Sequence, residues 1–334
     1  MGANLYELNN LPLSTYGVLA LASSGALRML LVFVQMLILP AALIAWLWRR
    51  RSKTKLDWLL RLCVTGTYVL WAVLIGPWSS MSLHLRWALL VAFIAAAIIS
   101  FRRTRGVPFY MRNNGLWWWL SFGGRALLVV VFGLRLLVTF HAWTYEDEAL
   151  AIATPLRGGR YVVAHGGSNF MLNYHSDDSR PQMYALDISQ VGPLGARARG
   201  LLPQRLDRYA IYGDTVYSPI SGTVVVALDG RPDLTPPESD STQPAGNHVW
   251  VRTGDVYILL AHLKSTSVRV RTGETVRAGE PIGQVGNSGR TSEPHLHIHA
   301  VRIKEEVPPD RLLPLGDPVP LLIDGRFLTR NSTF

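Results

Sequence analysis

The chain has 334 residues, enough for two domains, and 49% of them are hydrophobic. Its net charge of +10 comes from the first 144 residues, which carry 14 Lys or Arg and two Asp or Glu. These basic residues cluster between apolar runs, as in the cytoplasmic loops of membrane proteins, which argues against a nucleic-acid partner. With Cys63 as the single cysteine, the chain cannot form an internal disulfide. We therefore expect a membrane-embedded protein.

Four apolar runs within residues 1–144 are long enough, or nearly so, to cross a bilayer as helices, and the third is the shortest. Their approximate ranges are 26–48, 58–78, 85–101 and 116–140. The sequence therefore predicts an N-terminal all-α membrane domain, residues 1–144, with four transmembrane helices.

Charged residues around these runs predict the orientation of the helices. Basic clusters at 49–51 and 102–105 follow the first and third runs, whereas the loop 79–82 is uncharged. The start of the chain has only Glu7, and the fourth run leads into the acidic triplet 146–148. Because Lys and Arg mark cytoplasmic loops, both ends of the chain should lie outside the cytoplasm. We expect a multi-pass protein of the inner (cytoplasmic) membrane with its C-terminal domain outside the cytoplasm, which is the periplasm if the envelope is Gram-negative; the sequence leaves the envelope type open.

Two arginines, Arg125 and Arg135, interrupt the fourth run. A charge at mid-membrane costs at least about 2.5–3.5 kcal/mol on insertion scales. Either these side chains snorkel, or the span begins later than Leu116, or one of them faces a helix bundle or a membrane protein partner. The sequence leaves these interpretations open.

Residues 145–334 change to short β-type runs separated by turn signals, which predicts a mainly antiparallel β domain. The segment 231–246, rich in Pro, Ser, Thr and Asp, predicts a mobile loop. We expect residues 307–334 to be an extension that packs against the β domain. The β-type runs are 161–163, 222–228, 248–252, 256–263 and 268–270.

Three histidines alternate along one of the predicted strands. Because side chains of a strand point to alternate faces, His295, His297 and His299 share one face, while Leu296 and Ile298 share the other. Metal binding or proton transfer gives a purpose to three imidazoles in a row. This strand is therefore the main candidate for a chemical site.

Two further segments carry residues suited to the same chemistry. His262 ends the apolar run 256–263, and Asp187 lies between apolar residues twelve positions after His175. A carboxylate in apolar surroundings needs a partner, since a buried charge is costly. One Asp and two His would form a three-ligand zinc site with a fourth position open, the usual catalytic arrangement.

Together these segments resemble the lysostaphin/LytM-type zinc metallopeptidases, a family that cleaves peptide bonds in peptidoglycan, over roughly residues 165–301. The resemblance implies that Asp187 and His297 are zinc ligands. It also implies that His262 and His295 assist catalysis. We assign His295 as the proton-transferring base and His262 to orienting the water or stabilising the oxyanion, and the sequence leaves the exchange of these two roles open.

The chain departs from the family pattern at the first ligand. The family places a histidine four residues before the ligand Asp, but that position is Met183 here. We assign the first ligand to His175, with His165 as the alternative. His299 is expected to support a ligand rather than to bind the metal.

These features predict a membrane-anchored zinc endopeptidase that hydrolyses peptide cross-links of bacterial peptidoglycan, with zinc as its cofactor and peptidoglycan peptides as its substrate. The main alternative is a catalytically inactive family member that binds peptidoglycan or activates another cell-wall hydrolase. A protein whose membrane spans do the main work, with an accessory outer domain, is a further alternative. A lipoyl-type carrier module would need a lysine at a hairpin tip, and Lys264 does not fit that context.

Overall fold

The computed structural model describes residues 25–111, 115–178, 180–303 and 316–334. The chain divides into two compact units, which we call the helical unit and the β unit. The helical unit comprises Met1–Gly76 and His84–Phe140, and the β unit comprises Pro77–Leu83 and His141–Phe334. Glu7 at the start of the chain, and the first part of the predicted C-terminal extension, lie outside the described residues.

The predicted N-terminal all-α region with four long apolar helices is confirmed. By length and composition alone, four stretches could cross a membrane: Met29–Arg49, Lys55–Ile75, Leu83–Arg102 and Leu116–His141. The first stretch includes a π-helical segment, Val34–Ile38, between two α-helices. The helices are α1 (Gly25–Phe33), α2 (Leu39–Arg49), α3 (Lys55–Ile75), α4 (Leu83–Arg102) and α5 (Leu116–His141).

Two of these helices differ in their bounds from the apolar runs. Helix α3 ends at Ile75 because Pro77 has no N–H to donate and disfavours a helical residue before it. Trp78, which we expected at the end of the second span, lies instead in a short 3₁₀ turn. Helix α4 has 20 residues, longer than the predicted run, since it includes the polar positions His84 and Arg102.

Arg125 and Arg135 both have partners within the helical unit. Arg125 Nη1 lies 2.5 Å from Asp57 Oδ1 on α3. The guanidinium of Arg135 lies 5.3 Å from the ring centroid of Trp71, a cation–π distance. Both arginines on α5 therefore face α3, which favours the helix-bundle interpretation over snorkelling.

The β unit is built on an eight-stranded, antiparallel sheet in the order β2-β3-β10-β7-β6-β5-β8, with β11 also paired to β10. This confirms the predicted mainly antiparallel β domain. Its strands are β2 (Tyr161–His165), β3 (Leu186–Gln190), β5 (Gly222–Leu228), β6 (Asn247–Thr253), β7 (Val256–Leu263), β8 (Thr275–Val276), β10 (Leu296–Arg302) and β11 (Asp317–Val319). Smaller sheets join β1 (Leu150–Ile152), β12 (Leu321–Ile323) and β13 (Arg326–Phe327), and β4 (Thr215–Tyr217) with β9 (Pro281–Gln284). One short helix, α6, covers His175–Asp178.

The larger of two hydrophobic clusters lies on one face of the large sheet. Leu296 and Ile298 of β10 are fully buried there with Leu186 and Ile188 of β3 and Leu260 of β7. Each such side chain contributes about 1.5–3 kcal/mol on burial. The core therefore fixes β10 between β3 and β7, and it directs the alternate residues of β10 to the opposite face.

Four of the five predicted β-type runs fall in β2, β5, β6 and β7, but the prediction for 268–270 is wrong. Thr266 has a φ of 60°, which turns the chain after β7. The backbone N–H groups of Thr266 and Val268 then donate to the carboxylate of Asp229 instead of to a neighbouring strand. Apolar β-branched residues alone do not make a strand where the backbone finds other acceptors.

The remaining expectations for this unit concern a loop and the C-terminus. The segment 231–246 has neither helix nor strand, as predicted. Asp233 ties it to the domain, since its carboxylate accepts hydrogen bonds from Asn287 N at 2.7 Å and Tyr212 Oη at 3.0 Å. Residues 316–334 pack against the β unit as predicted, with Leu328 in the core.

Candidate metal centre

The register of the sheet brings the three main segments of the site together. His297 of β10 is paired with Asp187 of β3 on one side and with Ala261 of β7 on the other. His262 follows Ala261 directly. The alternation of β10 therefore places its histidines on the face opposite the core, within reach of both neighbouring strands.

His175, Asp187 and His297 form a buried group whose ligand atoms lie within 4.8 Å of one another. His175 Nε2 is 3.0 Å from Asp187 Oδ2, and His297 Nδ1 is 2.9 Å from Asp187 Oδ1. Two imidazoles and one carboxylate are ligands that zinc prefers. The donor set and its closeness therefore fit a catalytic zinc ion with one position left open.

Asn173 holds the segment that carries His175. Its fully buried amide donates to the carbonyl oxygens of Gly167, Met183 and Ala185, each at 3.0 Å. Its Oδ1 accepts from the backbone N–H of His175 at 3.2 Å. A single side chain thus connects both ends of the loop before β3 and directs His175 towards Asp187. Asn173 lies two positions before His175, but the sequence did not reveal this role.

His165, the alternative first ligand, lies on β2 next to Asp187 but belongs to neither metal-compatible group found among the described residues. Its Nδ1 is 2.7 Å from a guanidinium nitrogen of Arg330, which can only donate. Burial and the charge of Arg330 hold the pKa of His165 well below its usual value. The geometry therefore favours His175 as the first ligand.

His262, His295 and His297 form a second group, also with ligand atoms within 4.8 Å of one another. Nδ1 of His262 is 2.9 Å from the carbonyl oxygen of Ser288, and Nδ1 of His295 is 2.9 Å from that of Glu293. Since a carbonyl only accepts, we assign the hydrogen to Nδ1 in both rings. Each ring therefore keeps its Nε2 available to accept a proton.

His262 also has an unusual backbone. Its φ of 62° lies in the left-handed region, which costs a non-glycine residue roughly 1–2 kcal/mol. Its N–H donates to the carbonyl of Ala245 at 3.1 Å, so contacts on both the backbone and the ring fix its position. A strained backbone of this kind persists only where contacts with the surrounding structure hold it in place. Such residues are concentrated at functional sites.

His299 lies behind His297 rather than beside Asp187. Its Nδ1 is 2.9 Å from His297 Nε2. A histidine that binds a metal through Nδ1 carries its hydrogen on Nε2, and donating that hydrogen to a neighbour fixes the ring. The contact therefore suits His299 to orienting His297.

The ionisable side chains of the site have pKa values shifted in different directions. Burial raises the pKa of Asp187, but the charges and hydrogen bonds of His175 and His295 outweigh burial and hold it well below the usual value. Burial lowers the pKa of His295, but the nearby Asp187 carboxylate outweighs burial and raises it. Burial, with His295 and His297, holds the pKa of His262 well below its usual value. These shifts favour an ionised Asp187 and a neutral His262.

Replacing Gly246 by alanine is expected to damage catalysis through His262. Gly246 has a φ of 56°, and a Cβ there would lie 2.3 Å from the carbonyl oxygen of Ser288, which holds His262. We expect a stability loss of about 1–2 kcal/mol from the backbone and a further loss of activity as Ser288 shifts. Gly254→Ala is the matched control, since its φ of 59° is similar but no atom lies within 4 Å. Equal activity of the two variants in a peptidoglycan-cleavage assay would contradict this role of Ser288.

Two cavities flank the centre, with volumes of about 70 and 300 Å³. His175, His262 and His297 line the smaller one, and Asp187 and His295 line the larger. Tyr174 and Arg290 line both. An extended substrate could therefore lie across the centre with one part in each cavity.

Part of the lining of the larger cavity comes from a segment that the sequence did not link to the site. Pro77, Ser79 and Ser80, from the segment between α3 and α4, line it together with residues of β2 and β3. Ser79 O accepts from Arg197 N at 2.8 Å, and Leu83 N donates to Gly195 O at 2.9 Å, so the segment is hydrogen-bonded into the β unit. No local signal in its short, uncharged sequence indicates this long-range contact.

Comparison with known proteins finds similarity in part of the β unit. Residues 204–309 match peptidase family M23, a span that includes His262, His295 and His297 but neither His175 nor Asp187. The peptidoglycan DD-endopeptidase ShyC of Vibrio cholerae is 31% identical over 130 residues, covering 37% of this chain and 29% of that protein. The cell division protein DipM of Caulobacter vibrioides is 29% identical over 123 residues, covering 36% of this chain and 18% of that protein. The matched part thus spans less than a third of these relatives.

Among solved structures, a crystal structure of a zinc-containing peptidase from Vibrio cholerae is similar to part of this chain. It is 26% identical, with a TM-score of 0.22, over 30% of this chain and 29% of that one.

Proposed function

We propose, from the match of residues 204–309 to peptidase family M23, that this chain is a membrane-anchored zinc endopeptidase that hydrolyses peptide cross-links of bacterial peptidoglycan. The observation that carries the proposal is the convergence of His175, Asp187 and His297 with His262 and His295 at one buried centre. The name of the relative ShyC, a peptidoglycan DD-endopeptidase, supports this substrate class. Four helices long and apolar enough to cross a membrane support anchoring in a membrane. The basic clusters at 49–51 and 102–105 support the cytoplasmic membrane with the β unit outside the cytoplasm.

His175, Asp187 and His297 are the residues that would hold the zinc. A zinc ion in such a site acts as a Lewis acid and lowers the pKa of water to about 7. Asp187 stays ionised and so supplies the negative charge of the ligand set. Asn173 and His299 orient two of the ligands through the hydrogen bonds described above.

His295 carries the proton transfer, and His262 orients the attacking water. His295 Nε2, 3.5 Å from Asp187 Oδ1, takes the proton from the attacking water and later returns it to the leaving amine. His262, with its hydrogen on Nδ1, presents Nε2 from the other side as an acceptor that holds the attacking water in place. The carbonyls of Ser288 and Glu293 hold both rings during the reaction.

The test uses the full-length chain in detergent, because Ser79 and Ser80 line the larger cavity. Purified protein is analysed for zinc and incubated with labelled peptidoglycan, with a chelator and then with zinc restored. We expect chelator-sensitive release of label that zinc recovers. A zinc-free or zinc-loaded chain that binds peptidoglycan but releases nothing would instead support the inactive, binding or activating role.

Zinc is also expected to stabilise the two strands that carry its ligands. A ligand at 100 times its Kd stabilises the state that binds it by about 2.7 kcal/mol, equal to a roughly 100-fold slower opening. Hydrogen–deuterium exchange should therefore slow in β3 and β10 when zinc is added to the chelated protein. Peptides from α3 serve as the internal control and should not change. Identical exchange of β3 with and without zinc would contradict zinc binding by Asp187.

A further inference from the structure

A cavity of about 670 Å³ lies within the helical unit and has no part in the metal centre. Its polar lining is almost entirely cationic, with five basic side chains against one carboxylate. These are Arg50, Arg51, Lys53, Arg61, Arg125 and Asp57.

The inner part of this cavity has more positive than negative charge. The side chains of Arg61 and Arg125 are only 3% and 11% exposed, and both contact the single carboxylate of Asp57. Arg61 also donates to Arg50 O and to Ser52 Oγ, which are neutral acceptors. One negative charge therefore faces one buried and one largely buried guanidinium group. Nε of Arg61 is also buried, and no described residue accepts its hydrogen. Burying an uncompensated charge is unfavourable, so this position favours an additional anion.

The outer part of the cavity adds three more cations. Arg50, Arg51 and Lys53 are exposed and line the same space. Guanidinium groups match the oxygens of a phosphate with paired hydrogen bonds, and a lysine adds a point charge. Among the common biological anions, a phosphate group is the one that this combination fits best.

The location of the lining residues indicates the source of that phosphate. They lie where α2 ends at Arg49, α3 begins at Lys55 and α5 begins at Leu116, which are ends of three candidate membrane spans. Trp46, Trp117 and Trp118 also line the cavity, and indole rings favour the depth of lipid headgroups. Basic pockets between membrane helices bind phospholipid headgroups.

We propose that this cavity binds the phosphate of an anionic phospholipid headgroup. The bound phosphate satisfies Arg61 and Arg125 and connects the ends of α2, α3 and α5. The proposal depends on the membrane anchoring proposed above but not on peptidase activity, so the two can fail separately. Arg61 itself is a poor residue to replace, since its burial makes misfolding a competing explanation.

The experiment is native mass spectrometry of the full-length chain with phosphatidylglycerol or phosphatidylethanolamine of identical acyl chains. We expect wild-type protein to retain phosphatidylglycerol preferentially. The variant Arg50→Gln/Arg51→Gln/Lys53→Gln should lose that preference, with an affinity about 10–100-fold lower. The control variant Arg49→Gln/Arg102→Gln/Arg105→Gln removes the same charge from residues that do not line the cavity, and it should behave as wild type.

Equal retention of the two lipids by wild type, or an equal loss in both variants, would overturn the proposal. A parallel titration with inorganic phosphate separates the sources. If phosphate binds with the same variant dependence and the lipids do not differ, the site takes a soluble phosphate compound and the lipid assignment is wrong. Carbonate extraction of membranes from expressing cells tests anchoring independently. If the chain resists extraction but binds neither phosphatidylglycerol preferentially nor inorganic phosphate, the membrane anchoring is supported and the proposed phosphate site is wrong.

Discussion

Replacing Asp187 by asparagine is expected to remove the metal from the centre and abolish peptidoglycan cleavage. The carboxylate contacts both ligand histidines, His175 Nε2 at 3.0 Å and His297 Nδ1 at 2.9 Å, and asparagine keeps its shape but not its charge. Loss of residues that merely support a ligand lowers metal affinity by about 10–100-fold. We therefore expect zinc affinity to fall by at least about 100-fold when a ligand itself is lost.

Asp214→Asn is the matched control for this variant. Asp214 is a half-buried carboxylate of the β unit that accepts a hydrogen bond from Tyr161 Oη at 3.0 Å and lies outside both metal-compatible groups. Zinc content by elemental analysis and cleavage of peptidoglycan should be normal in the control. If Asp187→Asn keeps full zinc content and activity, the assignment of the metal ligands is wrong.

Replacing His295 by alanine is expected to separate catalysis from metal binding. His295 contributes no ligand to the group of His175, Asp187 and His297, so zinc content should stay at the wild-type level. General acid–base catalysis contributes about 10²–10⁴-fold, and kcat/KM should fall by that factor. The readouts are kcat/KM on a soluble cross-linked peptide and zinc content of the same preparation.

The pH profile distinguishes His295 from His262. If His295 is the base, His295→Ala removes the acidic limb of the kcat/KM profile, whereas His262→Ala lowers the rate but keeps that limb. His141→Ala, an exposed histidine outside both groups, controls for loss of an imidazole. The reverse pattern would exchange the two roles, and loss of zinc in His295→Ala would make His295 a ligand.

Several residues of the candidate site could be predicted because short segments of the sequence are enough to identify them. Alternation along β10 places His297 and His299 on one face from backbone geometry alone, and His295 directly precedes this strand. The need for a partner to a buried carboxylate singled out Asp187. The long apolar helices could be predicted for the same reason, since the hydropathy of about 20 consecutive residues is enough to identify each of them.

Other features could not be predicted because they depend on long-range contacts. The choice of His175 over His165 follows from the hydrogen bonds of Asn173 and from the contact of Arg330 with His165. These partners lie up to 165 positions apart. The contribution of Ser79 and Ser80 to the larger cavity likewise depends on tertiary packing that no periodicity reveals.

The central claim is that the full-length chain cuts peptide cross-links with zinc. The most direct test is mass spectrometry of peptidoglycan fragments after incubation with wild-type protein, with chelated protein and with Asp187→Asn. The account predicts that cross-linked dimers are converted to monomers, each cleaved peptide bond gaining one water, only in the zinc-loaded wild type. Persistence of the dimers with folded, zinc-loaded protein, or cleavage of the glycan strands instead, would contradict it.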